Sequence, residues 1–172
     1  GVLVGLNRLS DAVVDPNMQA IRALPLFGLI PLFILWFGIG EVPKVLLVAL
    51  GAMFPLYLNT SGAICQIDRR LVETARVLGF SRITTIRELI IPAAMPQILV
   101  GLRQALAIAW LSLIVAEQIA ATSGLGYLIN NARDFLRIDQ VIFGLIVYAA
   151  LGLITDAIVR ALERYTTRYR RQ

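Results

Sequence analysis

The sequence predicts an all-α integral membrane protein. Of its 172 residues, 58% are hydrophobic and only 16% are charged, whereas soluble domains average roughly 45–50% apolar and about 25% charged residues. The apolar residues are gathered into long runs, and a helix needs about 17–25 of them in succession to cross a bilayer. We therefore expect one membrane domain over residues 1–172, with about four complete transmembrane helices and the end of an earlier one.

Four apolar runs define the expected spans. The first covers residues 24–40 and contains Pro25 and Pro31, which predict a kinked or partly unwound helix whose freed carbonyl groups are satisfied by neighbouring helices. A tight polar turn is expected at residues 41–44 and a mixed loop at 122–140. The other three runs cover residues 45–64, 98–121 and 141–162.

Basic residues flank these runs and do not form a separate patch. The net charge is +5, and cytoplasmic loops of membrane proteins carry an excess of Lys and Arg. Two spans separate the two arginine-rich segments, so both lie on one side, which we expect to be cytoplasmic. Topology explains these charges better than nucleic-acid binding does. The arginines concerned are Arg69, Arg70, Arg76, Arg82 and Arg87 in the central segment, and Arg160, Arg164, Arg168, Arg170 and Arg171 near the end of the chain.

The residue types that carry enzyme chemistry are scarce. The chain has no histidine, and Cys65 is its single cysteine, so neither a metal centre nor an internal disulfide is expected. The sequence lacks a G-x4-G-K-[ST] phosphate-binding loop, so the chain cannot itself be an ATPase. An intramembrane enzyme would need a nucleophile and base or paired carboxylates, which the sequence does not offer, so no catalytic residue is predicted.

A polar segment, residues 71–92, lies between the second and third runs. Apolar residues recur there at helical spacing with arginines between them. Gly79 is expected to end a first short helix, Ser81 to cap a second and Pro92 to begin the next element. The segment therefore predicts an amphipathic helix–turn–helix. One interpretation is a helix pair lying on the inner leaflet, with its arginines toward anionic headgroups.

The other interpretation comes from the spacing E-x-A-x3-G-x12-P in this segment. Residues 72–79 and 89–92 resemble the cytoplasmic EAA loop of permease subunits in binding-protein-dependent ABC importers, which reads roughly E-A-A-x3-G-x9-I-x-L-P. Thr74, Leu89 and Ile91 depart mildly from that pattern. The resemblance implies that the segment docks in a cleft of an ATP-binding subunit, where a small residue permits close approach and a glutamate offers a charge. The coupling residues it implies are Glu73, Thr74, Ala75, Gly79, Leu89 and Pro92.

The resemblance extends over most of the chain. Residues 32–40, 54–60, 115–118 with 124–126, and 132–137 look like the branch that imports aliphatic sulfonates, taurine, nitrate or bicarbonate, and the sulfonate members are the most similar. This implies a type I importer permease fold of about six spans, of which the chain would hold the last four and the end of the second. We therefore expect an N-terminally truncated chain, whose residues 1–6 end an earlier span.

The same resemblance implies the partners and the location. They are a cytoplasmic ABC ATPase subunit, an extracytoplasmic solute-binding protein and a second permease copy, in a bacterial inner membrane. ATP and Mg would be bound by the ATPase subunit, and no cofactor by this chain. The cargo would be a small organic or inorganic anion. A membrane scaffold that binds a partner without transport is the remaining alternative.

Charged residues inside the apolar runs are candidate functional sites by default. Arg103 and Asp156 fall at similar depth on antiparallel spans, which predicts an ion pair between two helices. Arg103 can alternatively attract an anionic substrate, or extend to the headgroups. Glu117 is expected near the outer end, meeting Arg133 or Arg137 or lying at the interface.

Five residues are candidates for lining a translocation pathway, although ordinary packing and hydrogen bonding between helices explain each of them at least as well. They are Tyr57, Asn59, Trp110, Glu117 and Gln118.

Overall fold

A computed structural model of the chain describes residues 8–120 and 123–167, and within these ranges every regular element is a helix. The fold class predicted from the sequence is thereby confirmed. The expected end of an earlier span at residues 1–6, and the arginines at 168, 170 and 171, lie outside the described residues. In chain order the elements are α1 (Arg8–Arg22), a 3₁₀ turn (Leu26–Leu29), α2 (Ile30–Phe37), α3 (Glu41–Cys65), α4 (Arg69–Val77), α5 (Arg82–Thr84), a π-helical segment (Thr85–Ile90), α6 (Ile91–Ala120), α7 (Leu125–Asp134) and α8 (Ile138–Thr167).

Three helices are long and apolar enough to cross a membrane: Glu41–Cys65, Arg82–Ile119 and Ile138–Tyr165. The first predicted run is not a fourth straight span. Two helical pieces, Val13–Arg22 and Leu26–Phe37, meet there at 82° and count as a fourth span only if they are taken together as one. Pro25 explains the bend, because the residue before a proline is biased away from helical geometry.

Two element boundaries differ from those predicted. Residues 41–44 form the first turn of α3 and not a separate turn. Pro43 does not prevent this, because proline is tolerated in the first turn of a helix, and Lys44 pairs there with Glu41 at 2.5 Å. The expected loop at 122–140 contains α7, whose buried residues Gly126, Ile129 and Ala132 recur every third position.

The start of α6 also differs in part. Pro92 is the second residue of α6, so it does lie where regular α-helix begins. However, the helix is continuous from Arg82 to Ile119, and Pro92 does not separate the polar segment from the span. The second half of the polar segment, from Arg82 onward, and the span therefore form one continuous helix.

The antiparallel packing of α3 against α6 forms the centre of the molecule. Ala63 and Ile64 on α3 pack with Ile90 and Ala94 at one end. At the other end Leu47 packs with Ala116 and with Ile30 of α2. Lipid tails are as apolar as these side chains, so helix association in a membrane depends on close contact between small residues.

Gly101 is a point of close approach between these two helices. A Cβ atom there would lie 2.6 Å from the Cβ of Asn59 and 3.2 Å from the backbone oxygen of Pro55. We predict that Gly101→Ala forces α3 and α6 apart and lowers the free energy of unfolding by about 1–3 kcal/mol, seen as a lower Tm in lipid nanodiscs. Gly62→Ala on α3 is the control, since a Cβ there meets only Gln66 Nε2 at 4.0 Å. Equal melting temperatures for the two variants would contradict the close packing.

Candidate functional site

The polar segment, residues 71–92, begins inside α4 and turns sharply at Gly79. Asp68 caps α4 by accepting a hydrogen bond from the Arg70 backbone N–H at 2.9 Å. At the other end Gly79 has a φ of +79°, which glycine adopts without a Cβ penalty. The N–H of Gly79 donates to the oxygen of Arg76, and that of Phe80 to the oxygen of Ala75, each at 3.0 Å. This pattern is the Schellman C-cap, as Gly79 predicts.

The second half of the segment starts at Ser81, whose hydroxyl accepts from the Thr84 N–H at 3.2 Å. The expected cap is thus confirmed. A π-helical segment, Thr85–Ile90, then leads into α6. Short π segments inside α-helices occur frequently at functional sites. Here Ile86 and Ile90 of the π-helical segment pack against the end of α3, which ties the polar segment to two spans.

Large apolar side chains of the polar segment are exposed. Val77 is 87% exposed and its neighbour Leu78 is 69% exposed. Exposed apolar residues that cluster on a polar background mark interaction surfaces. We call these five residues the apolar docking face: Leu71, Val77, Leu78, Phe80 and Ile83.

The six residues implied by the EAA-like motif are not equally accessible. Glu73, Thr74, Gly79 and Pro92 are exposed and Leu89 is partly buried. The Thr74 hydroxyl donates to the oxygen of Arg70 at 2.8 Å, within its own helix. Ala75 is only 6% exposed, so its small side chain faces this chain and is not positioned for close approach by a partner.

The predicted contact between Arg103 and Asp156 is present and joins α6 to α8. Arg103 Nε lies 2.6 Å from Asp156 Oδ1. A second arginine, Arg160, lies one turn beyond Asp156 on α8, and its Nη2 is 2.8 Å from Asp156 Oδ2. We call these three residues the ionic triad. Arg160 was assigned to topology from the sequence, yet its spacing of four residues from Asp156 is typical of a helical ion pair.

Arg103 and Asp156 of the ionic triad line a groove of about 590 Å³ between α6 and α8, and Arg160 adjoins it through its contact with Asp156. Trp110 lines this groove and donates from Nε1 to the Thr155 hydroxyl at 3.2 Å. Gln104, Val100 and Val159 also contribute to the walls. Of the five pathway candidates, Trp110 alone is among the residues that line this groove.

Glu117 does not meet Arg133 or Arg137. Its Oε2 accepts from the Gly126 backbone N–H and from the Tyr148 hydroxyl, each at 2.8 Å. The start of α7 brings this N–H to the carboxylate, because a helix N-terminus has unpaired N–H groups and favours negative charge. Arg133 pairs with Asp134 at 3.8 Å, while the Arg137 guanidinium lies over the Phe135 ring at 5.8 Å.

Asn59 belongs to an amide cluster between α3 and α6. Its Nδ2 donates to Gln104 Oε1 at 2.9 Å, and its Oδ1 accepts from Gln97 Nε2 at 2.8 Å. Both glutamines were overlooked in the sequence, although their separation by seven residues places them on one face of a helix.

The last two pathway candidates lie in packed surroundings. Tyr57 is buried and its hydroxyl donates to Asp15 Oδ1 at 3.4 Å. Gln118 is partly buried on α6. Within residues 8–120 and 123–167, no three His, Cys, Asp or Glu side chains are grouped closely enough to hold a metal ion.

The described residues thus form a multi-helix membrane protein in which a polar helix–turn–helix is joined to two spans. A family model matches residues 1–168, and the chain belongs to that family, the binding-protein-dependent transport system inner membrane components. The expectation of a membrane component of a transporter, and not an enzyme, agrees with this family and with the names of the relatives.

Three curated relatives cover nearly all of the chain. The putative aliphatic sulfonates transport permease proteins SsuC of Bacillus subtilis (strain 168) and Escherichia coli (strain K12) are 46% and 49% identical over 99% and 95% of this chain. The taurine transport system permease protein TauC of Escherichia coli (strain K12) is 35% identical over 97%. The chain spans 62%, 62% and 61% of the length of these relatives.

The environment of Glu117 leads to a first prediction for the site. Glu117→Ala leaves the Gly126 N–H and the Tyr148 hydroxyl without their acceptor, and we expect a loss of about 1–3 kcal/mol in the free energy of unfolding. Glu117→Gln retains an acceptor oxygen, so its loss should be smaller. Thermal unfolding in nanodiscs measures both variants. Equal losses for Ala and Gln would show that the hydrogen bonds do not stabilise α7.

The ionic triad leads to a second prediction, for a double-mutant cycle. Arg103→Gln and Asp156→Asn should show a coupling of about 0.5–3 kcal/mol, as is typical of groups in direct contact. Asp156→Asn alone should cost more than Arg103→Gln, because Asp156 contacts two arginines. The cycle is measured by thermal unfolding, and additive losses would dismiss the pairing.

Proposed function

We propose that the chain is the membrane-spanning subunit of an ATP-driven importer that carries a small organic or inorganic anion inward across a bacterial inner membrane. The observation that carries this proposal is the apolar docking face on the polar segment. The second half of the segment is continuous with α6 from Arg82 onward, and α4 is joined to it by the short turn at Gly79. A force applied to the docking face therefore acts on a transmembrane helix. Such rigid-body coupling is a common way to turn closure of one domain into movement of another.

The partner proposed for the docking face is a cytoplasmic ABC ATPase subunit, which binds ATP and Mg. Val77, Leu78 and Ile83 offer exposed apolar surface of the kind that marks protein–protein interaction sites. Glu73 and the exposed arginines Arg76 and Arg82 surround them as a polar rim. Ala75 contributes by letting α4 pack against its own chain.

The orientation of the chain supports a cytoplasmic position for the docking face. Contacts of Arg103 with Asp156 and of Glu117 with Tyr148 show that α6 and α8 are antiparallel. The end of α8 therefore lies at the same end of the molecule as the polar segment. Both are rich in arginine, and the bias of Lys and Arg toward the cytoplasm favours that side for the polar segment and the C-terminus.

The cargo proposed first is an aliphatic sulfonate. The two relatives of highest identity described above are named as aliphatic sulfonates permeases, at 46% and 49% identity, and the taurine permease follows at 35%. Taurine also carries a sulfonate group, and nitrate and bicarbonate are small oxyanions, so a negatively charged oxygen-bearing group is common to these four cargoes. Another small solute is the further alternative. The proposed assembly includes an extracytoplasmic solute-binding protein and a second permease copy.

Site-directed crosslinking of the assembled transporter tests the docking face. Cys65 is first replaced by serine, which removes the only native cysteine. We predict that Val77→Cys or Leu78→Cys, labelled with a short thiol-reactive photocrosslinker, captures the ATPase subunit on illumination, because both side chains are exposed. Ala75→Cys should capture little, because residue 75 is buried.

The matched control is Val45→Cys, which is 62% exposed near the opposite end of α3. It should not capture the ATPase subunit. If Val77 and Leu78 behave like Val45, the segment does not dock there. Capture without ATP-driven uptake of any anion by the complete assembly would favour the scaffold over the transporter.

A further inference from the structure

The ionic triad carries a surplus positive charge. Arg103 and Arg160 each contact a different oxygen of Asp156, so two guanidinium groups share one carboxylate and the triad has a net charge of +1. Each arginine side chain is almost half exposed. A guanidinium group has more N–H donors than these contacts use. Donors for a further acceptor are therefore available beside the groove.

A surplus cation within a membrane span is costly without a counter-charge. Arg103 lies in the helix Arg82–Ile119, and Asp156 and Arg160 lie in the helix Ile138–Tyr165, both long and apolar enough to cross a membrane. Asp156 has both oxygens engaged by the arginines, so an added anion must come from outside the triad. An oxyanion fits this need well, because guanidinium groups match its geometry.

The remaining walls of the groove suit an apolar group. Trp110, Val100 and Val159 line it, and a Cβ at Gly152 would meet nothing within 4 Å. The volume of about 590 Å³ lies within the roughly 300–1,000 Å³ of small-molecule sites. Such sites combine mostly apolar walls with a few placed polar groups, and Gln104 and Thr155 supply further polar groups here.

We propose that the groove between α6 and α8 is a binding site for a small aliphatic oxyanion, with the anionic group against Arg103 and Arg160 and the aliphatic part against Trp110. That this anion is the transported cargo rests on the proposed function. Asp156 positions both arginines and leaves one charge for the ligand to balance.

Quenching of Trp110 fluorescence tests the site directly. The chain has two tryptophans, so the variant Trp36→Phe retains Trp110 as its single tryptophan. The protein is placed in phosphatidylcholine nanodiscs and titrated with 2-bromoethanesulfonate, whose bromine quenches indole on contact. We expect saturable quenching, whereas 2-bromoethanol, which lacks the charge, should quench without saturation.

The apparent affinity of arginine variants in the same quenching assay tests whether the arginines bind the anion. Arg160→Gln should weaken the apparent affinity roughly tenfold or more, the change expected when a charge-assisted hydrogen bond is lost. It leaves the Arg103–Asp156 pair in place, and a retained cooperative thermal transition shows that the fold is intact. Arg160→Lys should retain most of the affinity, because the charge is kept. Arg133→Gln is the control, since Arg133 lies on α7 away from the groove.

The competing occupant is the phosphate of an anionic lipid. If quenching by the sulfonate saturates in phosphatidylcholine nanodiscs and is retained in phosphatidylglycerol nanodiscs, the site binds the small anion. If phosphatidylglycerol abolishes the quenching, or if Arg160→Gln leaves it unchanged, the proposal is overturned. The assay uses neither ATPase nor binding protein, so a failed crosslink at Val77 would overturn the proposed function and leave this measurement valid.

Discussion

The structure depends on the close contact between α3 and α6. Gly101 brings the backbone of α6 against Pro55 and Asn59 of α3, and the amide cluster, the ionic triad and the Glu117 contacts each include a residue of α6. The continuous helix from Arg82 to Ile119 has 38 residues, which corresponds to roughly 57 Å. It carries the second half of the polar segment at one end and Glu117 at the other, with the amide cluster and Arg103 between them. Its position against α3 therefore determines where all of these groups lie.

Polar groups in the spans are held by partners that suit their chemistry. The Glu117 carboxylate accepts from a helix N-terminus and from Tyr148, and Asp156 accepts from two arginines. Without such partners each group would be costly in a membrane, where water cannot replace them. Ser112 is the exception among the described residues, because its buried hydroxyl has no hydrogen-bond partner. Its small size suits the packed surface of α6, where a larger side chain would separate the helices.

The sequence predicts the spans and the Arg103–Asp156 ion pair well, because both follow from simple periodicity and length. Hydropathy locates the long helices, and antiparallel spans at matched depth bring Arg103 to Asp156. The sequence does not predict the Gly126 partner of Glu117, because this partner is a backbone N–H, which no side-chain pattern reveals. In addition, the charged residues of α7 predict a loop there and not a helix. Resemblance identified the motif around Ala75 but not the direction in which Ala75 faces, since that depends on how α4 packs against its own chain.

The proposed docking of an ATPase subunit and the proposed anion site both involve α6. Arg103 lies on α6, whereas Asp156 and Arg160 lie on α8, so the ionic triad stays intact only while these helices keep their relative position. A partner that binds the apolar docking face and shifts α6 would change the distance between Arg103 and Asp156. The guanidinium N–H groups available to an anion would change with it. Gln104 is affected as well, because it borders the groove while bonding to Asn59 on α3. A ligand shifts such an equilibrium only by its difference in affinity for the two positions. The anion and the cytoplasmic partner would then influence each other through the same displacement of α6.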